Sequence, residues 1–338
     1  MIEMVKNYAL AAKPGIVLGN MAAAAGGFLL ASRGCVDWTG MLWTVSGICL
    51  IVASGCVLNN LVDRGTDRIM TRTRNRVLAK GLISPKAALA YASILGTAGG
   101  TALWTATHPL SVAIAAAGFV VYVGLYSLYL KPRSVHATLI GSMAGAAPPL
   151  AGYCAVTHGF DGGAAILLLI FILWQVPHSY AIAVFRFEDY AAANIPALPV
   201  KRGLRVAKRQ IRSYIAAFLA ASLLLTFCGY TGCGYLAVTA VVGLYWLRVA
   251  WSDNGPCDDF LWGRKLFIVS ILNISALSVM MAVDSRTPVA ATVSPSLCRG
   301  GKLNPSGEQP RAWRAAPLGR ISDPQHPGLP GPCAPATY

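Results

Sequence analysis

The sequence predicts an all-α polytopic membrane protein built as a bundle of nine transmembrane helices. Three observations carry this. Hydrophobic residues make up 55% of the 338-residue chain and charged residues only 12%, about half the ~25% usual in soluble domains. Apolar runs of about twenty residues recur, the length at which a helix crosses a bilayer. Lysine and arginine crowd into every second loop, as they do where positive charge fixes topology.

In chain order, the spans are expected at about 14–31, 40–62, 87–106, 109–130, 136–156, 163–185, 211–230, 233–251 and 264–284. A short polar lead with Lys6 and Lys13 enters a first span that is retained, since no cleavable signal is evident. The loop after span two holds Arg64, Arg68, Arg72, Arg74, Arg76, Lys80 and Lys86. The loop after span four holds Lys131 and Arg133, and the loop after span six Arg186, Lys201, Arg202, Arg205, Lys208, Arg209 and Arg212. Arg264 and Lys265 precede span nine. Between spans on the other side only Arg33 appears. The N-terminus and the basic loops are therefore expected in the cytoplasm, and the C-terminus across the membrane. The net charge of +15 is accounted for by these loops, so no nucleic-acid partner is expected. The Gly- and Ala-rich fifth span allows close helix contact, and Pro148 and Pro149 should kink it. Residues 1–284 read as one membrane domain. Residues 285–338, rich in Pro, Gly, Ser and Arg, read as a disordered tail. The nine cysteines form no CxxC pair, and Cys49, Cys56, Cys154 and Cys228 read as small apolar fillers.

The chemistry concentrates at the cytoplasmic end of span two, in NNLVDRGTDRIMTRTRNR, Asn59 to Arg76. The whole chain has 13 acids, yet Asp63 and Asp67 lie four apart with Asn59 four before them, on one helical face. Ionisable groups at membrane depth default to function. Clustered oxygens suit magnesium, which takes one or two carboxylates and then substrate phosphates. Arg72 and Arg76 suit phosphate oxygens, whereas Arg74 and Lys80 read as topology charge. Spans two and six run in the same direction, so a second acidic segment, WQVPHSYAIAVFRFEDYAAANIPALPVKRG, returns to the same face. Of its adjacent acids, Asp189 is favoured over Glu188, because it lies three turns after His178 on nearly the same face. His178 follows Pro177 in an apolar run. It reads first as a hydrogen-bonded structural group filling the gap that a proline leaves, and second as a group beside a large acceptor.

At these residues the chain resembles the UbiA superfamily of intramembrane prenyltransferases, with its NxxxDxxxD first motif and second acidic motif four spans later. NNLVDRGTDRIMTRTRNRVLAKGLISP, YSLYLKPRSVHATLIGSMAGAAPPLAGY and the segment from Trp174 place the likeness in a haem-modifying branch of that family, over roughly residues 5–284. One departure is Val77, where many relatives carry proline. The resemblance implies transfer of the farnesyl group of farnesyl diphosphate to a vinyl group of haem b, with water addition, giving haem O. It also implies magnesium held by Asn59, Asn60, Asp63, Asp67 and Asp189, with Asp63, Asp67 and Asp189 catalytic. Arg72, Arg76 and Lys131 would hold the diphosphate, and His178 would lie at the haem. A bacterial inner membrane, and a terminal oxidase that receives the product, follow from the same likeness. Two other readings stay open here: a family member acting on an aromatic acceptor, and a transporter that couples ions through membrane carboxylates.

Overall fold

Apolar spans with no water to satisfy their backbone must close their own hydrogen bonds, and helices do so. The computed structural model describes residues 2–252 and 259–286, and apart from turns and one isolated bridge they are helical. The helices are α1 (Ile2–Ala11), α2 (Pro14–Ser32), α3 (Trp38–Ile69), α4 (Pro85–Ala106), α5 (Pro109–Val120), which continues as a π-helix (Val121–Leu130), α6 (Ala137–Thr157), α7 (Gly162–Phe185), α8 (Phe187–Ala192), α9 (Leu198–Arg202), α10 (Leu204–Phe227), α11 (Cys233–Trp251) and α12 (Asp259–Val283). Local chemistry sets many starts. Pro14, Pro85 and Pro109 open their helices, where a missing N–H costs nothing. The side chains of Asp37, Ser84 and Asp161 accept from the first-turn N–H groups of Gly40, Ala87 and Ala164.

Eight of these helices, counting α5 and its π-helical continuation as one, are long and apolar enough to cross a membrane among the described residues. The remaining expected span, the third, is α4, a helix of 22 residues, about 33 Å long, whose Gly and Thr content lowers its hydropathy. The same small residues serve contact. A Cβ on Gly99 would come 2.7 Å from the Gly47 carbonyl oxygen of α3, and Ser54 of α3 donates to the Ala92 carbonyl at 2.7 Å. α6 stays helical through Pro148 and Pro149. Cys56 and Cys154 are buried, but Cys228 is exposed at the end of α10.

α3 packs on α4 as α7 packs on α10. The largest buried cluster joins α2, α6, α7, α10, α11 and α12 around Phe171, Phe218, Tyr235 and Trp246. A smaller one, with Val57, Val77, Leu78 and Ala88, fixes α1 and the loop after α3 against α3 and α4. Large exposed apolar side chains such as Trp43, Ile94, Leu139, Leu244 and Leu272 face outward, as lipid contact requires. At 32 residues, α3 outlasts the apolar run expected to end near residue 62 and carries its acids on two further helical turns.

The expected tail begins at residue 285 and from residue 287 lies outside the described residues. What is described ends in a clasp. Asp284 accepts from Tyr235 N–H at 2.8 Å through Oδ2, Arg286 N–H donates to the Tyr230 carbonyl at 2.8 Å, and Ser285 bridges Thr231. A chain stopped after Arg286 should insert and turn over as the full chain does. A chain stopped after Val283 should lose the cap on α11, about 1 kcal/mol, and accumulate less in membranes. Equal accumulation of the two truncations, read by immunoblot, would show that the clasp contributes nothing.

Candidate active site

A cavity of about 870 Å³ opens in the bundle, walled by α2, α3, α5, the π-helix, α6, α7 and α12. α4, α10 and α11 stand outside it and support the helices that line it. The deeper wall is apolar, with Ile48, Ile51, Val52, Phe119 and Phe171. Tyr122 and Tyr126 stack with centroids 6.1 Å apart, and glycines give them room: a Cβ on Gly141 would come 2.8 Å from the Tyr126 ring.

Charge gathers at the end formed by the C-terminal turns of α3. Asn59, Asp63 and Asp67 are all buried and all line the cavity, as their four-residue spacing predicts. Each meets a cation. Asp63 Oδ2 pairs with Lys131. Asp67 takes Arg76 Nη1 on both oxygens, at 3.0 and 2.9 Å. Asn59 Oδ1 accepts from Lys13 Nζ at 2.5 Å, and its Nδ2 donates to Ser127 Oγ at 3.0 Å. Arg72 also lines the cavity and has no acid partner among the described residues. Four cations thus face two carboxylates, a balance that invites an anion.

The cations differ in kind. Burial, aided by the Arg76 charge, pulls the Lys13 ammonium down to about 8, because its direct partner is a neutral amide. For Lys131 burial also acts downward, but Tyr126 and the Asp63 carboxylate outweigh it and the net shift is upward.

Two expected members of the oxygen set stand elsewhere. Asn60 is buried but absent from the cavity wall; its Nδ2 donates to the Ala11 carbonyl at 2.8 Å, tying α1 to α3 and so setting Lys13 in place. Asp189 is also buried, while Glu188 is exposed. It does not line the cavity, and its Oδ1 accepts from the Thr71 N–H at 2.8 Å, which holds the turn carrying Arg72. The expectation that Asp189 continues the helix of His178 fails at Arg186, whose backbone (φ −118°, ψ 28°) separates α7 from α8. Arg72 and Arg76 lie in turns after α3, and both reach the cavity. Arg68 Nε on the Ala79 carbonyl at 2.9 Å and Thr73 Oγ1 on the Asp67 carbonyl at 3.1 Å brace this loop.

The sequence reading missed Lys13 as a site residue, along with Ser127 and Tyr190; Lys13 and Tyr190 line the wall, and Ser127 anchors Asn59 behind it. A signal for Lys13 was present, a lone lysine directly before the proline that opens the first apolar run. His178 lines the cavity deeper in the bundle, with Nδ1 2.7 Å from Ser270 Oγ of α12.

The donor set fits a magnesium ion: two buried carboxylates and an amide oxygen share one face. Among the described residues no group of three or more His, Cys, Asp or Glu converges. Magnesium is satisfied by one or two carboxylates, water and phosphate oxygens.

Residues 20–271 match the model of the UbiA prenyltransferase family. The chain is 58% identical over 285 residues to a protoheme IX farnesyltransferase of Klebsiella pneumoniae, covering 84% of this chain and 97% of the relative. It is 59% identical over 279 residues to one from Pseudomonas savastanoi, covering 82% and 95%. Among solved structures, a digeranylgeranylglyceryl phosphate synthase superposes with a TM-score of 0.68 at 18% identity, over 83% of this chain and 99% of that one. A UbiA homologue from Archaeoglobus fulgidus bound to GPP and Mg2+ gives 0.56 at 14% identity, over 82% and 99%.

Proposed function

Because the chain belongs to the UbiA prenyltransferase family, we propose that its cavity joins farnesyl diphosphate to haem b, releasing diphosphate and, with water, giving haem O. The relatives that share more than half of its residues carry that activity in their names. The observation that carries the reading in the molecule is the pole of four cations and two buried carboxylates at the end of a largely apolar cavity. A diphosphate fits the pole, and a prenyl chain and a porphyrin fit the apolar wall.

Asp63 and Asp67, with Asn59, would hold magnesium, with Asp189 contributing through the oxygen it does not use on Thr71. Magnesium bound there would neutralise charge growing on the departing oxygens. Lys13, Arg72, Arg76 and Lys131 surround the diphosphate as the farnesyl carbon–oxygen bond breaks and its electron pair leaves on the phosphate. The haem vinyl group supplies the pair for the new carbon–carbon bond. Water adds to the cation that results and loses a proton. Ile48, Ile51, Val52 and Phe119 exclude water from the prenyl cation before that bond forms. His178, deeper on the same wall, lies beside the porphyrin. The basic loops support an N-terminus on the cytoplasmic side of a bacterial inner membrane, with haem O leaving for a terminal oxidase.

Purified protein given haem b, farnesyl diphosphate and magnesium should form haem O, detected by mass, and omission of magnesium should stop it. Prenylation of an aromatic acid in place of haem b would move the chain to another branch of the family. Ion transport without any prenyl transfer would overturn the reading.

A further inference from the structure

We propose that Ser270 fixes the proton of His178 on Nδ1 and so presents a lone pair on Nε2 to the iron of the substrate haem. The inference rests on the haem reading above and adds to it which atom meets the iron and what positions that atom.

The count of protons at Ser270 fixes the tautomer of His178. Ser270 is fully buried. Its Oγ lies 2.6 Å from the Phe267 carbonyl and 2.7 Å from His178 Nδ1. A hydroxyl has one proton, and a carbonyl can only accept. Two bare oxygens at 2.6 Å would repel, so the Ser270 proton belongs to Phe267. The serine oxygen is then left to accept, and His178 Nδ1 must donate to it. In the neutral imidazole the free lone pair therefore sits on Nε2. No hydrogen bond to Nε2 is made among the described residues, and His178, unlike Ser270, belongs to the cavity wall.

The ring plane is fixed as well. Trp174 stacks on it at 4.6 Å and 27°, and Phe267 lies against it at 5.0 Å. The Trp174 indole donates to the Ser270 carbonyl at 2.8 Å, so the same serine is held at both its backbone and its side chain. A half-buried imidazole with its second nitrogen hydrogen-bonded behind it is the arrangement that orients histidine toward a metal and raises its basicity. Magnesium prefers oxygen, and the acidic pole lies elsewhere. His178 precedes the end of α7 by seven residues, about 10 Å of helix. An iron carried in by the haem suits nitrogen.

The test titrates haem b into the purified full-length protein without farnesyl diphosphate, reading the Soret band, the ferric electron paramagnetic resonance spectrum and the haem midpoint potential. The wild type should show nitrogen ligation, and His178→Ala should lose it. Ser270→Ala should keep the fold yet weaken haem affinity about 10- to 100-fold, shift the Soret band and raise the potential, because the imidazole loses its proton acceptor. Ser270→Cys, close in size but a weaker acceptor, should fall between; if the alanine variant fails to accumulate, the cysteine variant carries the comparison. An unchanged titration in His178→Ala would overturn the placement of haem at His178 itself. A changed titration in His178→Ala with unchanged spectra in both Ser270 variants would overturn the role of Ser270 alone. Unaltered haem spectra with slowed haem O formation in all three would make His178 a proton acceptor instead of an iron ligand.

Discussion

Replacing Asp67 with alanine is expected to lower haem O formation about a thousandfold, the upper end for loss of a group that stabilises transition-state charge. Two losses combine there. The carboxylate disappears from the face that would hold magnesium, and Arg76, bound by both oxygens of Asp67, loses the partner that aims it into the cavity. The Thr73 bond survives, because it is made to the Asp67 backbone carbonyl, so the loop should keep its shape. Asp63→Ala should be as severe through Lys131. Initial rates at matched membrane levels check both variants. Activity within tenfold of wild type in either would remove these acids from the reaction.

The second large effect separates two jobs of Asp189. Asp189→Asn keeps an oxygen for the Thr71 N–H but removes the charge. It should raise the magnesium and farnesyl diphosphate concentrations for half-maximal rate about tenfold, on the scale of lost ligand support, and leave haem b binding unchanged. Asp189→Ala also removes the hydrogen bond that holds the turn before Arg72, and should cost a further factor of about 10, since about 1.4 kcal/mol is a tenfold rate change and a bond to a charged acceptor contributes about that much. If asparagine restores wild-type behaviour and alanine does not, Asp189 positions the arginine loop without meeting the metal.

The membrane fold was legible because bilayer thickness dictates run length, and the spacing of Asn59, Asp63 and Asp67 was legible because helical periodicity alone puts them on one face. What escaped depended on contacts between distant segments. Lys13 counts as one more loop charge until Asn60 ties α1 to α3. That Asp189 Oδ1 also holds Thr71, 118 residues away in sequence, could not be read from the chain. The π-helix Val121–Leu130 left no mark, since a widened apolar helix has the same composition as a regular one. Yet its turn brings Ser127 Oγ onto the Tyr122 carbonyl at 2.8 Å and Ser127 to Asn59, and π-helical segments concentrate at functional sites. The break at Arg186 was hidden in the same way. α4 was found as a span by its length and flanking loops, although it is not among the eight helices long and apolar enough to cross a membrane among the described residues.

On the proposed reading, the length of α3 decides where in the bilayer the reaction takes place. From Trp38 to Asn59 the helix rises about 32 Å, close to the ~30 Å thickness of the hydrocarbon layer. Trp38 and Trp43 are exposed at one end, at the level where tryptophan settles among headgroups, and Asp67 stands about 12 Å beyond Asn59 at the other. A prenyl diphosphate floats in the membrane with its tail among acyl chains and its phosphates in the headgroup zone. An active site at the acids of α3 would therefore meet its substrate at the depth the substrate already occupies. Capture becomes a sideways, two-dimensional search, and no phosphate charge has to be carried into oil.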